Sequence, residues 1–283
     1  MTFADWCAEP LADGRHRFEF LPLPILHPLT HGQITIEVDV ANGIIRECRF
    51  DVAGSHRADE KLLEVRDFKQ GLALINRHGW LTAPFGEYVY GRIIEQALGL
   101  TVSPRAQALR SLVLALNTAA VETFWRVIDD YLVGTPTSLA ERERILDVME
   151  RITGARIHTT YVRIGGVSAD VDDEDLAAAR ALGDNAVTAA ADAVAAATGD
   201  IAVTLPKVIR LPQGEYYDEV QTPHGQLGVW VFSKGDKVPH RVHVRTAGFA
   251  ALARLEQDAI GMTSSAFFMR LAKTRFVLGE VAR

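Results

Sequence analysis

Cysteine is nearly missing from this chain: of 283 residues, only Cys7 and Cys48 carry a thiol. Two such residues cannot build a disulfide framework or a cysteine-rich metal cluster. Clustered basic charge is missing as well. The 30 Lys and Arg residues are scattered among 36 Asp and Glu, and the formal net charge of -6 gives no general attraction to nucleic acid or anionic lipid. Nucleic acid is therefore not an expected partner. No run reaches the roughly 20 uninterrupted apolar residues of a spanning helix, because the long apolar stretch after Arg110 is broken by Asn117, Thr118, Glu122 and Arg126. Nothing near the N-terminus resembles a secretory signal peptide, so a cytoplasmic placement is expected, with any membrane contact made through partners. There is no phosphate-binding glycine loop, no Gly-x-Ser-x-Gly, no His-Glu-x-x-His and no Cys-x-x-Cys, and Gly165-Gly166 is too short for a dinucleotide fingerprint. The sequence thus offers no self-contained redox or hydrolytic centre.

What is present is apolar content of 48%, ample for a buried core. The chain is organised around His27-Pro-Leu-Thr-His-Gly32. Two histidines four apart would share a helix face, but Pro28 denies the helix a hydrogen bond and Gly32 closes the segment. Arg17–Leu21 before it and Gln33–Val40 after it alternate with period two, so the pair is expected at a β-hairpin tip. Asn42-Gly43 then turns the chain into a third strand through Val52.

From Asp59 the period becomes helical. Leu62, Leu63, Val65, Phe68, Leu72 and Ile75 predict one helix to about Asn76, and a second spans Pro84 to Leu98, ending at Gly99. Ser103 and Pro104 open a long third helix that runs to about Leu132 and belongs inside a bundle. Ser138-Leu-Ala-Glu141 reads as a capping box for a fourth, ending at Gly154. Arg156–Val167 is extended or irregular, its paired glycines marking close backbone approach. Alanine-rich residues 176–198 read as a helical pair broken near Gly183. After Pro206 the period returns to two, in strands over 214–221, 226–233 and 241–245, and short helices over 250–257 and 264–272 finish the chain. The economical reading is one α+β domain over 1–283, with an N-terminal sheet (17–52), a helical bundle with a long central helix (57–200), and C-terminal hairpins and short helices (201–283).

Each candidate functional residue has a bland reading. His27 and His31 are by default surface loop histidines; the functional reading is a hydrogen bond or proton given to a ligand near neutral pH. Tyr90 is by default half-buried packing, and in a cleft a donor to a carbonyl oxygen. His158 is by default a structural hydrogen-bonder, Arg163 a salt-bridge partner, and Glu122 with Arg126 an i, i+4 ion pair.

Several segments, in order, resemble one family. His27-Pro-Leu-Thr-His-Gly32, His56-Arg57 with Glu60-Lys61, Pro104-Arg-Ala with Arg110, Glu141-Arg-Glu143 with Ile145-Leu-Asp147, Thr153-Gly-Ala-Arg-Ile-His158 and Tyr161-Val-Arg-Ile-Gly-Gly-Val167 are similar to the 49 kDa-type (D-type) subunit of bacterial complex I, NADH-quinone oxidoreductase. So are Gly214-Glu-Tyr, His224-Gly-Gln-Leu-Gly-Val, Val238–Arg245 and Gly279–Arg283. The family is related to the large subunit of nickel-iron hydrogenases, and the resemblance implies that fold. It covers roughly residues 20–167 and 212–283. The family's long insertion between the Gly-Gly-Val and Gly-Glu-Tyr segments is reduced here to the alanine-rich stretch, so the chain resembles a shortened member.

The resemblance implies further expectations. His31 and Tyr90 would hydrogen-bond the headgroup of a quinone substrate. His158, with Arg163 nearby, would lie beside an iron-sulfur cluster held by a partner subunit, and Asp129 or Asp130 would pair with the loop histidine. Nickel ligands are absent, the first Cys-x-x-Cys position reading His78-Gly-Trp-Leu81. A B-type iron-sulfur subunit and a C-type subunit follow as partners. So do a peripheral place on the inner face of the cell membrane and an enzymatic role of the NADH:quinone translocase class that is inactive alone. The alternatives are a degenerate paralogue serving as scaffold or assembly component, and a subunit of a hydrogenase-like complex with another electron donor.

Overall fold

A computed structural model describes residues 9–10, 15–18, 27–134 and 138–282. Cys7, the Glu19–Leu21 part of the expected first strand, and Arg283 lie outside the described residues. The architecture is α+β, as the periodicities require: nine helices, three antiparallel sheets and short 3-10 turns among the described residues. The chain forms two compact units, one of residues 1–57, 128–135 and 246–283, the other of residues 58–127 and 136–245. The C-terminal third is thus divided, its strands in one unit and its helices in the other.

In the first unit, β1 (Glu9–Pro10), β2 (His16–Phe18), β3 (Thr35–Ala41) and β4 (Ile44–Asp51) form an antiparallel sheet in that order. Asn42 and Gly43 turn β3 into β4 with φ of 54° and 75°, as a two-residue hairpin loop requires. Alternation, shifted by a register irregularity opposite Asp39 and Val40, leaves Ile36, Val38, Ile45, Cys48 and Phe50 on one face, where they pack with Leu252, Leu255, Phe267, Phe268 and Leu271 of α8 (Ala247–Ala259) and α9 (Ser264–Ala272). β2 does pair with β3, but His27 and His31 ride on a one-turn 3-10 helix, Pro28–Thr30, well along the connection rather than at a tight tip. Pro28 takes the first position of that turn, where its missing N–H has no partner to lose.

The second unit is built on helices. The apolar stripe expected as one helix over 59–76 is two: α1 (Asp59–Glu64) and α2 (Phe68–His78). Asp67 is the reason. Its extended backbone (ψ 161°) breaks the helix while its carboxylate accepts from Gln70 N at 2.8 Å and the Gln70 side chain reaches back, a capping box. The capping box read at Ser138 is not formed: Ser138 is already helical (φ -81°, ψ -6°) with no side-chain cap bond, and Glu141 instead accepts from Arg126 at 2.8 Å. The remaining helices are α3 (Ala83–Leu98), α4 (Pro104–Val133), α5 (Leu139–Thr153), α6 (Asp173–Arg180) and α7 (Asn185–Ala196).

α4, whose last residues belong to the first unit, is by length and composition apolar enough to span a membrane, yet 67% of its most apolar window is buried. It is a core helix, with Leu109, Leu112, Val113 and Leu116 packed against α5 and the alanine-rich pair. A small hairpin, β5 (Val162–Arg163) with β6 (Gly166–Val167), follows α5. The close approach read from its glycines is real: a Cβ on Gly166 would lie 2.0 Å from the Ile201 carbonyl oxygen. The sheet β7 (Gly214–Thr222), β8 (Gly225–Ser233), β9 (Arg241–Arg245) closes the unit. Its free edge is covered by α1, where Glu60 and Glu64, one turn apart, accept from Val244 N (2.8 Å) and Val242 N (3.3 Å). Those amides would otherwise be a template for another strand.

Candidate functional site

The most constrained stretch of the chain is the strap from Arg156 to Gly166. His158 and Thr160 both hold the left-handed backbone region, φ 59° and 43°, two of the four non-glycine residues that do so among those described. For a β-branched threonine this is a true outlier. Each such residue costs about 1–3 kcal/mol and persists where its surroundings dictate it, which happens most at functional sites.

The surroundings are one ridge of α3. Glu87, Gly91 and Glu95 fall at i, i+4 and i+8, so they share a helix face, and that face receives the main chain of the strap. Glu87 Oε2 accepts from Val162 N at 3.0 Å and Glu95 Oε1 from Gly165 N at 2.6 Å. Gly91, between them, leaves room for the Arg163 carbonyl, 3.7 Å from where a Cβ would stand. Arg110 of α4 completes the clamp. Its guanidinium pairs with Glu95 at 2.5 and 3.1 Å and donates to the carbonyls of Arg163 (2.7 Å) and Gly166 (3.1 Å). Arg110 and Glu95 are 2% and 5% exposed, so the pair is desolvated.

His158 is oriented by a second set of bonds. The Asn76 carboxamide nitrogen donates to Glu87 Oε1, which leaves Asn76 Oδ1 to accept from His158 Nδ1 (2.7 Å) and Arg77 Nη1 (2.7 Å). An amide oxygen only accepts, so Nδ1 of His158 carries a proton, and Nε2 becomes a donor when the ring is charged. Glu87 is fully buried, and burial pushes its carboxyl up to about 7, opposed by its bonds to Asn76 and Val162 and by the charge of Arg163. The group changes charge near neutral pH, one hydrogen-bonded residue away from His158.

The other expected residues have separate settings. His27 is wholly buried and structural: Nδ1 accepts from Leu29 N at 3.2 Å, which fixes the tautomer, so Nε2–H donates to the Ala272 carbonyl at 3.0 Å. Burial holds its imidazole down to about 4, hence neutral at physiological pH. His31 caps the same turn with its backbone and its side chain is exposed. Asp129 is exposed and Asp130 half-buried, and both belong with His31 to the first unit, whereas Tyr90, His158 and Arg163 belong to the second. The structure therefore gathers His158 and Arg163 on the strap. Arg163 keeps its side chain exposed and meets Arg110 through its carbonyl.

Tyr90 is enclosed in the core. It is 0% exposed, its ring lies against Gly71 of α2, where a Cβ would be 2.3 Å from the hydroxyl, and that hydroxyl has no hydrogen-bond partner among the described residues. Burial raises its ionisation well above the usual range. Removing an unpaired buried hydroxyl removes a desolvation penalty. Tyr90→Phe is therefore expected to leave the thermal midpoint of the full chain unchanged or a few degrees higher, and a clear fall would reveal a bond to that oxygen.

Sequence reasoning missed Asn76, Glu87, Glu95 and Trp80, the last lining a small cavity beside His158. A signal existed for two of them, namely carboxylates eight apart with a glycine midway on one face of an otherwise apolar helix. Asn76 carried none, because it only ends an amphipathic stripe.

The sequence model of the family described as respiratory-chain NADH dehydrogenase, 49 kDa subunit, matches residues 134–203 and 200–283, more than half of the chain. A D-type NADH-quinone oxidoreductase subunit of Salinispora tropica, the one numbered 1, is 34% identical over 191 residues, 64% of this chain and 43% of that protein. The D-type subunit of Mycolicibacterium vanbaalenii is 35% identical over 162 residues, 55% of this chain and 37% of its own length. The chain thus spans less than half the length of these curated relatives in the matched region. A longer alignment, to the D-type subunit numbered 2 of Salinispora arenicola, covers 90% of this chain and 91% of the relative at 23% identity. Among solved structures, a chain of the membrane-bound sulfane sulfur reductase, an archaeal respiratory membrane complex, shares the fold with a TM-score of 0.84 over 97% of this chain and 100% of that one, at 19% identity. The chain belongs to the family of the 49 kDa subunit of respiratory-chain NADH dehydrogenase.

Proposed function

We propose that the chain works as the 49 kDa-type member of a complex I-like quinone oxidoreductase, with His158 beside an iron-sulfur cluster held by a B-type partner. The observation that carries this reading is His158 itself. A histidine kept in a strained backbone conformation and pinned through Nδ1 presents its ring in one fixed direction, as a group that tunes a neighbouring centre must. A hydrogen bond from that ring, or a positive charge on it, stabilises the reduced form of a nearby cluster and raises its potential. His31 is the proposed donor to the quinone headgroup, with Asp129 or Asp130 its acidic partner, whereas Tyr90, wholly buried with its hydroxyl against Gly71, would reach a ligand only if α2 moved aside. A donor aimed at the headgroup oxygen stabilises the negative charge that develops there as electrons arrive. A C-type partner and peripheral membrane attachment through partners complete the proposal, and the chain alone is expected to be inactive.

A second reading, a scaffold that has lost quinone chemistry, is favoured by the enclosure of Tyr90. The assembled complex separates the two. His158→Gln is expected to move the cluster's midpoint potential by tens of millivolts in an EPR-monitored titration, where roughly 59 mV is a tenfold change for one electron. His31→Ala is expected to lower kcat/KM for quinone at least about tenfold. An unchanged potential together with unchanged quinone kinetics would establish the scaffold.

A further inference from the structure

Beside His158 lies a small cavity, about 20 Å³ by the space open to the centre of a water molecule, lined by three residues that each carry a buried polar atom with no protein partner among the described residues. They come from three different segments: Asn117 Oδ1 from α4, Arg142 Nε from α5 and Thr159 Oγ1 from the strap. Asn117 and Thr159 are 7% and 4% exposed. Their orientation is not arbitrary. Asn117 Nδ2 donates to the Leu81 carbonyl at 3.0 Å, and because a carbonyl only accepts, the amide oxygen is the atom turned elsewhere. Arg142 rests its guanidinium on the Phe124 ring, 5.1 Å from its centroid, and turns Nη1 toward Glu143 at 3.4 Å, while its Nε–H is buried without a partner among the described residues. Thr159 sits between the two left-handed residues and lines the cavity.

An orphaned buried polar atom costs about 1–3 kcal/mol, and three around one void are not left so. A water needs about 10–15 Å³ of such space and typically makes three hydrogen bonds. The space and the partners both match one molecule. We propose that this cavity is a built site for a single ordered water, which accepts from Arg142 Nε–H, donates to Asn117 Oδ1 and exchanges its third bond with the Thr159 hydroxyl. The water ties α4 and α5 to the strap and hydrates the wall to which His158 contributes. The three polar groups favour a polar occupant over an apolar one. The site stands independently of the quinone reading.

A crystal structure of the full chain at a resolution that shows solvent tests it directly. Density is expected about 2.7–3.2 Å from all three atoms, and an empty cavity, or one filled by a neighbour such as Met149 or Trp80, would overturn the proposal. Denaturation midpoints supply a second measurement. Asn117→Leu and Thr159→Val each remove one anchor of the same water, so the double variant is expected to shift the midpoint little more than the larger single shift. Strictly additive shifts would mean that the two side chains share no ligand.

Discussion

Arg110→Met is expected to destabilise the full chain by about 3–5 kcal/mol, the largest effect of any single side chain considered. The size follows from what is left behind. Glu95 would keep its bond to Gly165 N but stay buried without its counter-charge, and the carbonyls of Arg163 and Gly166 would lose their donor. Removing one partner of a buried pair typically costs this much, whereas replacing both by apolar residues is often near neutral. Arg110→Met combined with Glu95→Met is therefore expected to recover part of the loss, short of full recovery because Gly165 N is then unpaired. Urea denaturation of the two variants and the native chain measures it. A single-variant loss below about 1 kcal/mol would mean that water replaces the guanidinium. The same clamp fixes the strap that carries His158, so Arg110→Met is also expected to speed amide exchange at Val162 and Gly165.

pH provides the second large effect. Glu87 has its carboxyl raised from the ordinary 4.5 to about 7 by burial. Between those values the folded chain holds a proton that the unfolded chain has released, so folding stability falls as pH rises through that window. The stabilisation is complete below about 4.5 and lost once the pH passes about 7. With about 1.4 kcal/mol for each unit of displacement, the total is about 3 kcal/mol. Glu87→Gln cannot ionise, so the stability difference between variant and native chain should swing by about 3 kcal/mol in the variant's favour from about pH 4.5 to about 8. The absolute offset is set by the acceptor that Gln lacks, since its one oxygen serves either Asn76 or Val162. His27 acts in the opposite direction in a lower window. Its folded value near 4 makes the native chain lose stability as pH falls from 6.5 toward 4, so the comparison with Glu87→Gln must be made against the native chain at each pH. A flat difference curve would show that Glu87 is solvated.

Much of the fold was legible because its signals are local. Ser103-Pro104, Gly99 and Gly154 mark real helix ends, and the strand alternation after Pro206 is the β7–β9 sheet. Two local readings failed for the same reason. An amphipathic stripe runs unbroken across Asp67, and a serine three before a glutamate looks like a cap at Ser138, but each outcome rests on the backbone angle one residue adopts. The candidate site was legible only in part. His158 was visible through its resemblance to a family motif, while its partner Asn76 lies 82 positions away with no motif of its own, and Glu87, which holds Asn76, showed only in the spacing of two carboxylates on α3.

By itself, then, the sequence determined most of the element order, the α+β class and a resemblance to the 49 kDa-type subunit that comparison upheld. Only tertiary structure decided that the histidine loop divides its work, with His27 buried as a latch and His31 at the surface, that Tyr90 is enclosed, and that the strap around His158 is strained and clamped. The physical reason is distance. Periodicity and caps report interactions within a few residues, whereas desolvation and hydrogen-bond geometry at Glu87, Glu95 and Arg110 depend on segments brought together from across the unit.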